Sequence, residues 1–201
     1  MQFTPSVMVS ELYILRHGQT EFNAERRLQG HCNSPLTPLG QAQAQAYGNR
    51  LKKLGNLDDF QLISSPLGRA MQTAALVAQT LGRDERSIIA DERIKEAGLG
   101  EFEQACIPEL HAANPHFANL PGWYLQALGA EPLNAIQARL QHFLRDDATP
   151  GKAILISHGI TSMILRAMLQ GLDDDAIWAL DRPQDAFYHF SDGKLRRIEC
   201  D

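Results

Sequence analysis

The sequence predicts an α/β layered domain built on a mostly parallel sheet with an antiparallel hairpin at one edge. Three observations carry that expectation. Short apolar runs with polar or turn-forming borders recur at residues 12–15, 60–63 and 153–156, as buried strands do. Longer segments of helical period alternate with them. Near the C-terminus, AFYHFSDGKLRRI is two alternating runs around Asp192-Gly193, a strong hairpin signal.

In chain order, residues 1–10 (MQFTPSVMVS) carry neither a positive start nor an apolar run of signal-peptide length, so they are expected to form a loose tail. LYIL is the first strand. Thr37 then offers an N-cap and Pro38 the first position of a helix that Leu39, Ala42, Ala46, Leu51 and Leu54 continue until Gly55 closes it. A second, more apolar helix is expected over residues 67–81, stopped by Gly82. From about 98 to 131 the periodicity fails and Pro108, Pro115 and Pro121 interrupt the chain. This stretch is read as a cap or insertion over one end of the sheet. Helices are expected again at 133–144 and 161–169, on either side of the strand AILI. The 201 residues are read as a single domain, 1–201.

Composition narrows the functional classes. The net charge of -5, with no long basic block, gives no reason to expect nucleic acid or an acidic membrane surface as partner. No apolar span reaches bilayer length. Cys32, Cys106 and Cys200 are odd in number and form no CxxC pair, which argues against a disulfide framework or a zinc knuckle. The expected setting is cytoplasmic.

Ligands of open α/β sheets bind beyond the carboxyl ends of the strands. Here LYIL runs into Arg16-His17-Gly18 and AILI into Ser157-His158-Gly159, while the strand at 60–63 runs into Ser64-Ser65-Pro66 with Arg69 one helical turn on. Each of these groups alone is most simply structural. Four cation-capable side chains at one rim, Arg16, His17, Arg69 and His158, call for an anion among them. Arginine forks match phosphate oxygens, and an imidazole kept neutral by nearby positive charge is a nucleophile able to take a phosphoryl group. Backbone N–H groups opening the helix at 161 are expected to add positive potential toward that anion. A leaving alkoxide needs a proton. Glu96, after a short strand-like stretch and before Gly98, is one candidate, with Glu101 and Glu103 as others.

RHGQTEFNAERRLQGHCNSPLT resembles the opening motif of the histidine phosphatase superfamily, particularly its cofactor-dependent phosphoglycerate mutase-like branch. SSPLGRAMQTA resembles that family's second-arginine motif, DERIKEAGLGEFE its acid motif, and ILISHGITSMILRAML its second-histidine motif, while GAEPLNAIQARLQHFL is similar to a later helix. The resemblance implies a three-layer α/β/α sandwich of phosphoglycerate mutase-like fold. It further implies that His17 is phosphorylated, that Arg16, Arg69 and His158 grip the phosphoryl group with a hydrogen bond from Asn23, and that Glu96 protonates the departing oxygen and then activates water. No metal and no cofactor is implied. Gln19, Asn33 and Gln104 depart from the family's usual glutamate, aspartate and glycine.

A mutase must shelter phosphohistidine from water and hold a second anionic group of its substrate. No lysine or arginine occurs from Glu96 through Ala138; the stretch offers Phe102, Phe117, Trp123 and Tyr124 instead. A metal-independent phosphomonoesterase is therefore expected, acting on a small phosphorylated metabolite with one phosphate and a neutral or partly apolar remainder. Arg26 and Arg27, able to reach a substrate carboxylate, temper that expectation. The alternative is a phosphoglycerate mutase working through the same phosphohistidine. A catalytically silent phospho-ligand binder ranks below both, because none of the five expected groups is missing. The sequence leaves the physiological ester and homodimer formation open.

Overall fold

A computed structural model describes residues 9–200. Its strands are β1 (Glu11–Arg16), β2 (Gln61–Ser64), β3 (Ile89–Ala90), β4 (Lys152–Ser157), β5 (Ala186–Ser191) and β6 (Lys194–Glu199). They form one sheet in the order β3-β2-β4-β1-β5-β6. The first four of that order run parallel, and β5 and β6 are antiparallel at the β1 edge. The helices are α1 (Glu21–Ala24), α2 (Pro38–Lys52), α3 (Gly68–Leu81), α4 (Ile107–Ala113), α5 (Leu133–Arg145), α6 (Gly159–Gln170) and α7 (Asp174–Ile177).

Side chains alternate across a strand, and the central strands bury both faces. Leu12, Ile14, Ala153 and Leu155 join one apolar cluster with α5 and α6. Tyr13, Leu15, Ile154 and Ile156 join a second with α2 and α3. The result is an α/β/α sandwich. It explains why LYIL and AILI read as unbroken apolar runs rather than alternating ones.

Thr37 caps α2, its hydroxyl accepting Gly40 N–H at 3.1 Å, with Pro38 in the first turn. The inward face of this helix is only in part the one expected, with Leu51 buried as expected. Leu39 is 53% exposed, and Gly40, Ala44, Tyr47, Gly48 and Leu51 are the buried positions. Close approach decides this. A Cβ on Gly40 would lie 2.0 Å from Gln19 O, and one on Gly48 2.5 Å from Thr80 Cβ. Only the smallest residues let the helix press against the turn after β1 and against α3. The helix also ends earlier than expected: Lys53 is its C-cap, and Gly55 lies beyond at φ 125°. α3 closes on Gly82 in the left-handed conformation, and Asp192 and Gly193, at φ 50° and 69°, make the tight turn between β5 and β6.

Residues 1–8 of the expected tail lie outside the described residues. Val9 is buried, and Ser10 donates from N and Oγ to Gly151 O at 2.7 and 2.9 Å, so these two residues are anchored ahead of β1 rather than loose. The short strand-like stretch expected before Glu96 is a 3-10 turn over Glu92–Ile94, opened by the Asp91 carboxylate accepting Arg93 N–H. The segment 98–131 consists of α4 and three 3-10 turns, Gly100–Phe102, Pro115–Asn119 and Trp123–Leu125. Its ends meet: Glu131 N donates to Gly98 O at 2.8 Å, and Leu99 bridges to Ala130. Among the described residues, no helix is long and apolar enough to cross a membrane.

One topological feature positions the site. After β1 the chain passes through α1 and enters α2 on one face of the sheet, and after β4 it enters α6 on the other. β1 and β4 are neighbours, so a crevice opens between their carboxyl ends.

Candidate active site

The register pairs Arg16 with Ser157, so the two histidines that follow stand on either side of that crevice. His17 N–H donates to Ser157 O at 3.0 Å, extending the ladder by one residue. The imidazole rings are 5.2 Å apart between centroids, and both are fully buried. Arg69, 1% exposed, projects from the first turn of α3 and donates from Nε to His17 Nε2 at 3.2 Å. Its other two nitrogens donate to Cys32 O at 2.8 Å and Gly30 O at 2.7 Å. His17, Arg69 and His158 thus converge from sequence positions more than 140 residues apart.

The hydrogen bonds fix the His17 tautomer. Its Nδ1 lies 2.8 Å from Gly18 O, and a carbonyl only accepts, so Nδ1 carries the hydrogen and Nε2 holds the lone pair. Burial, then the charges of Arg69 and Arg16, hold the His17 pKa well below the ordinary imidazole value. His158 is pushed well down in the same way, by burial first and by Arg69 next. Both rings are therefore neutral. His158 Nε2 shares a 2.7 Å hydrogen bond with Ser65 Oγ, and its buried Nδ1 has no partner among the described residues. The same is true of Arg16 Nε, while Arg16 Nη1 donates to Arg182 O at 2.7 Å. Burial lowers the Arg16 pKa to about 10, and the neighbouring charge of Arg182 contributes to that fall. Buried polar atoms left unpartnered beside two guanidinium groups fit an anionic ligand.

Glu96, 7% exposed, sits at the N-terminus of α6. Its Oε1 accepts N–H from Ala97 and Thr161, each at 3.0 Å, and Oε2 accepts Ile160 N–H at 3.2 Å. Here the structure corrects an expectation: the backbone donors opening this helix hold the Glu96 carboxylate rather than pointing at an anion beside the histidines. A carboxylate next to free N–H groups is favoured by their partial positive charge, and nothing in the pattern of side chains announces it. Of the other acids, Glu103 accepts His31 N–H at 2.9 Å and Leu99 N–H at 3.2 Å, with Cys32 Sγ–H donating to its second oxygen at 3.1 Å. Glu101 accepts from Leu128 N–H at 3.4 Å, within the 98–131 segment.

Asn23 completes a capping box with Thr20 on α1, its Oδ1 accepting Thr20 N–H at 3.2 Å. The same oxygen takes Gln184 Nε2–H at 3.3 Å, and Gln184 also donates to His17 O at 2.9 Å. With Oδ1 so engaged, only the amide nitrogen of Asn23 can donate to a phosphate. Arg27 turns away from the crevice to Glu25 at 2.9 Å and Gln104 O at 3.0 Å. Gln104 takes φ 67°, a left-handed conformation that costs about 1 kcal/mol for a side chain.

Sequence reading missed Arg182, Gln184 and Ser65. The first two reach the site on a loop before β5, at separations of 166 and 167 residues from their partners. Ser65 was visible as part of SSP, but nothing in that tripeptide pointed to His158.

The family model of the histidine phosphatase superfamily (branch 1) matches residues 12–191. The probable phosphoglycerate mutase GpmB of Shigella boydii is 34% identical over 184 residues, covering 86% of this chain and 79% of its own. Its counterpart in Salmonella paratyphi C is 34% identical over 174 residues, covering 81% and 75%. Among solved structures, YhfR of Bacillus stearothermophilus matches with a TM-score of 0.76 and 28% identity, covering 95% of this chain and 96% of that one. A mycobacterial glucosyl-3-phosphoglycerate phosphatase complexed with VO3 matches with a TM-score of 0.77 and 25% identity, covering 95% and 98%. A model spanning nearly the whole chain, carried by the crevice that brings the two histidines and their arginines together, leaves one conclusion: the chain belongs to the histidine phosphatase superfamily.

Proposed function

We propose that the protein is a cytoplasmic phosphomonoesterase that hydrolyses a small phosphorylated metabolite through a phosphohistidine on His17. The observation that carries this reading is the fixed tautomer of a neutral, buried His17. Nδ1–H is spent on Gly18 O, and the Nε2 lone pair faces Arg69. Nε2 attacks phosphorus, the P–O ester bond breaks, and the departing oxygen takes its electron pair together with the proton of Glu96. Oε1 of Glu96 already accepts two backbone hydrogen bonds, so Oε2, which accepts one, is the oxygen left to carry that proton. Water then gives a proton back to the Glu96 carboxylate and attacks phosphorus. The N–P bond breaks with its electrons returning to Nε2, and inorganic phosphate leaves. Arg16, Arg69, His158 and the Asn23 amide hold the equatorial oxygens, where charge spreads during transfer, and the arginines supply the positive field without any metal.

Hydrolysis of p-nitrophenyl phosphate tests the reading. His17→Ala is expected to lower kcat by about 10⁴-fold or more, as loss of a nucleophile does. Acid-labile phosphate is expected on His17 after quenching wild type mid-turnover. Equal rates in the two proteins, or label on another residue, would refute it. The identity with probable phosphoglycerate mutases favours a second reading, transfer in place of hydrolysis. Isomerisation of 3-phosphoglycerate that is stimulated by 2,3-bisphosphoglycerate and outpaces phosphate release would establish it.

A further inference from the structure

We infer that Ser65 is a positioning residue for phosphoryl transfer: its hydroxyl donates to His158 Nε2, so the hydrogen of that ring stands on Nδ1 and is presented to the phosphoryl oxygens. The inference rests on the phosphohistidine reading above and adds how the second histidine is set.

The seat of Ser65 leaves its hydroxyl one direction. Ser65, 0% exposed, carries β2 on by one residue, its N–H donating to Ile156 O at 3.0 Å. Its Oγ accepts Leu67 N–H at 3.3 Å, across Pro66, and lies 2.7 Å from His158 Nε2. A hydroxyl has one hydrogen to give, and an N–H cannot accept it. Among the described residues, Nε2 is therefore the acceptor that the Ser65 hydrogen finds. The opposite assignment, Nε2–H donating to Oγ, fails twice. The Ser65 hydrogen would be buried without an acceptor, and Nδ1 would turn a lone pair toward the oxygens of an anion.

Strand order says where Nδ1 points. β4 lies between β2 and β1, and His158 follows β4. Its Nε2 turns to Ser65 on the β2 side, and the two nitrogens of an imidazole face away from one another. Nδ1 therefore faces the β1 side, where Arg16 and His17 stand. There it is buried and without a partner among the described residues, as Arg16 Nε is. Phosphoryl oxygens supply the acceptors that both lack.

The surrounding charge makes the choice of nitrogen matter. Burial first, then Arg69 of α3, His17, Arg16 of β1 and Arg139 of α5, disfavour a positive ring at His158. The Glu96 carboxylate is taken up by the N–H groups of Ile160 and Thr161, and Arg182 adds a further cation, its Cδ 3.2 Å from where a Cβ on Gly159 would lie. An imidazolium would donate from both nitrogens and need no help. A neutral ring has a single hydrogen, and Ser65 is what keeps it on the nitrogen that faces the phosphate. The grip of His158 then persists through neutral and alkaline pH, where a charged ring would have been lost.

The wild-type protein tests the tautomer directly. Two-bond 15N–1H correlation spectra at about pH 8, with His158 identified by its absence in His158→Asn, are expected to show hydrogen on Nδ1 and none on Nε2. Hydrogen on Nε2 would overturn the inference. Calorimetry with inorganic phosphate tests the consequence. Ser65→Ala is expected to bind phosphate about 10-fold more weakly than wild type at that pH, the scale of one hydrogen bond. The deficit should shrink as pH is lowered toward about 5, because a protonated ring carries hydrogen on Nδ1 whatever faces Nε2. Taking the ratio of the two proteins cancels the ionisation of phosphate itself. Ser65→Thr, which keeps the hydroxyl, is expected to bind close to wild type. Equal affinities in wild type and Ser65→Ala would overturn the inference, and so would a deficit of the same size at every pH, the mark of a merely structural part. Failure of the phosphohistidine reading is separate: no phosphate would be found on His17 during turnover, while the spectra and the calorimetry would still decide the role of Ser65.

Discussion

The floor of the crevice and the segment above it are held by different physics. His17, Arg69, Ser65, Ser157, His158 and Thr161 are at most 2% exposed, and each has a named hydrogen-bond partner at a fixed distance. The 98–131 segment is a chain of short turns in which α4 buries no residue completely and Leu128 stands 80% exposed. Trp123 organises it, stacked 5.2 Å from Phe117 and within 6.0 Å of Phe102. Phosphoryl transfer needs its nucleophile and charges placed to a fraction of an ångström, and hydrogen bonds from strand ends and helix termini give that precision. Aromatic packing gives shape and water exclusion but tolerates rearrangement. The chemistry thus resides in the rigid part, and the replaceable part is left to fit the rest of the substrate.

The largest effect expected within the floor, after loss of His17 itself, comes from Glu96→Gln. The amide keeps the shape and its oxygen can still accept from Ala97 and Thr161, but its NH2 faces Ile160 N–H and it has no acidic proton to give. Hydrolysis of an alkyl phosphate should fall about 10³-fold, within the span of general acid catalysis. p-Nitrophenyl phosphate, whose leaving group departs without protonation, should lose much less. Equal losses on both esters would show that Glu96 acts by holding the floor together, not by delivering a proton.

A second test of the floor reads stability against pH. Burial and arginine charge depress the pKa of both His17 and His158, so the native protein keeps them neutral where an unfolded chain would protonate them. The unfolded state then binds more protons below about pH 6.5, and stability falls as pH falls through that value. Each histidine contributes a slope of about 1.4 kcal/mol per pH unit once the unfolded ring is fully protonated. Thermal unfolding between pH 7.5 and 5 is expected to show a steeper loss in wild type than in His158→Asn. Parallel curves would mean that the native state takes up the proton at His158 and that the floor is softer than its burial implies.

The same contrast explains what the sequence could reveal. Strand runs, the Thr37-Pro38 helix start, the Asp192-Gly193 turn and the two histidine tripeptides are local patterns, each set by neighbours in the chain. The inward face of α2 was hidden because hydrophobic pattern favours Leu39 over Gly40, whereas close packing selects the residue without a side chain. Arg182 and Gln184 were hidden because their roles exist only after the chain returns from α7 to the end of β1. The seat of Glu96 was hidden for another reason: its partners are backbone N–H groups, which no residue letter records.

Glu103 is where the two regions join, and it gives the smallest and most discriminating prediction. From the 98–131 segment its carboxylate binds His31 N–H and Cys32 Sγ–H, in the loop whose Gly30 and Cys32 carbonyls grip Arg69. His31 also reaches Glu96, donating from Nε2 to its backbone carbonyl at 2.9 Å. Although burial works against it, bonding from His31, Cys32 and Leu99 holds the Glu103 pKa below the ordinary carboxylate value, so the group is charged. In Glu103→Gln one acceptor oxygen becomes an NH2 facing donors, and the loop must shift. Arg69 should then lose alignment with His17 Nε2 without losing its charge. A roughly 3- to 10-fold fall in kcat with little change in KM is expected, since transition-state charge is more sensitive to donor placement than ground-state binding is. Steady-state kinetics on p-nitrophenyl phosphate would measure it. A rise in KM alone would place Glu103 with the substrate-fitting segment, and the boundary between rigid floor and adaptable cover would then run through the 30–32 loop rather than above it.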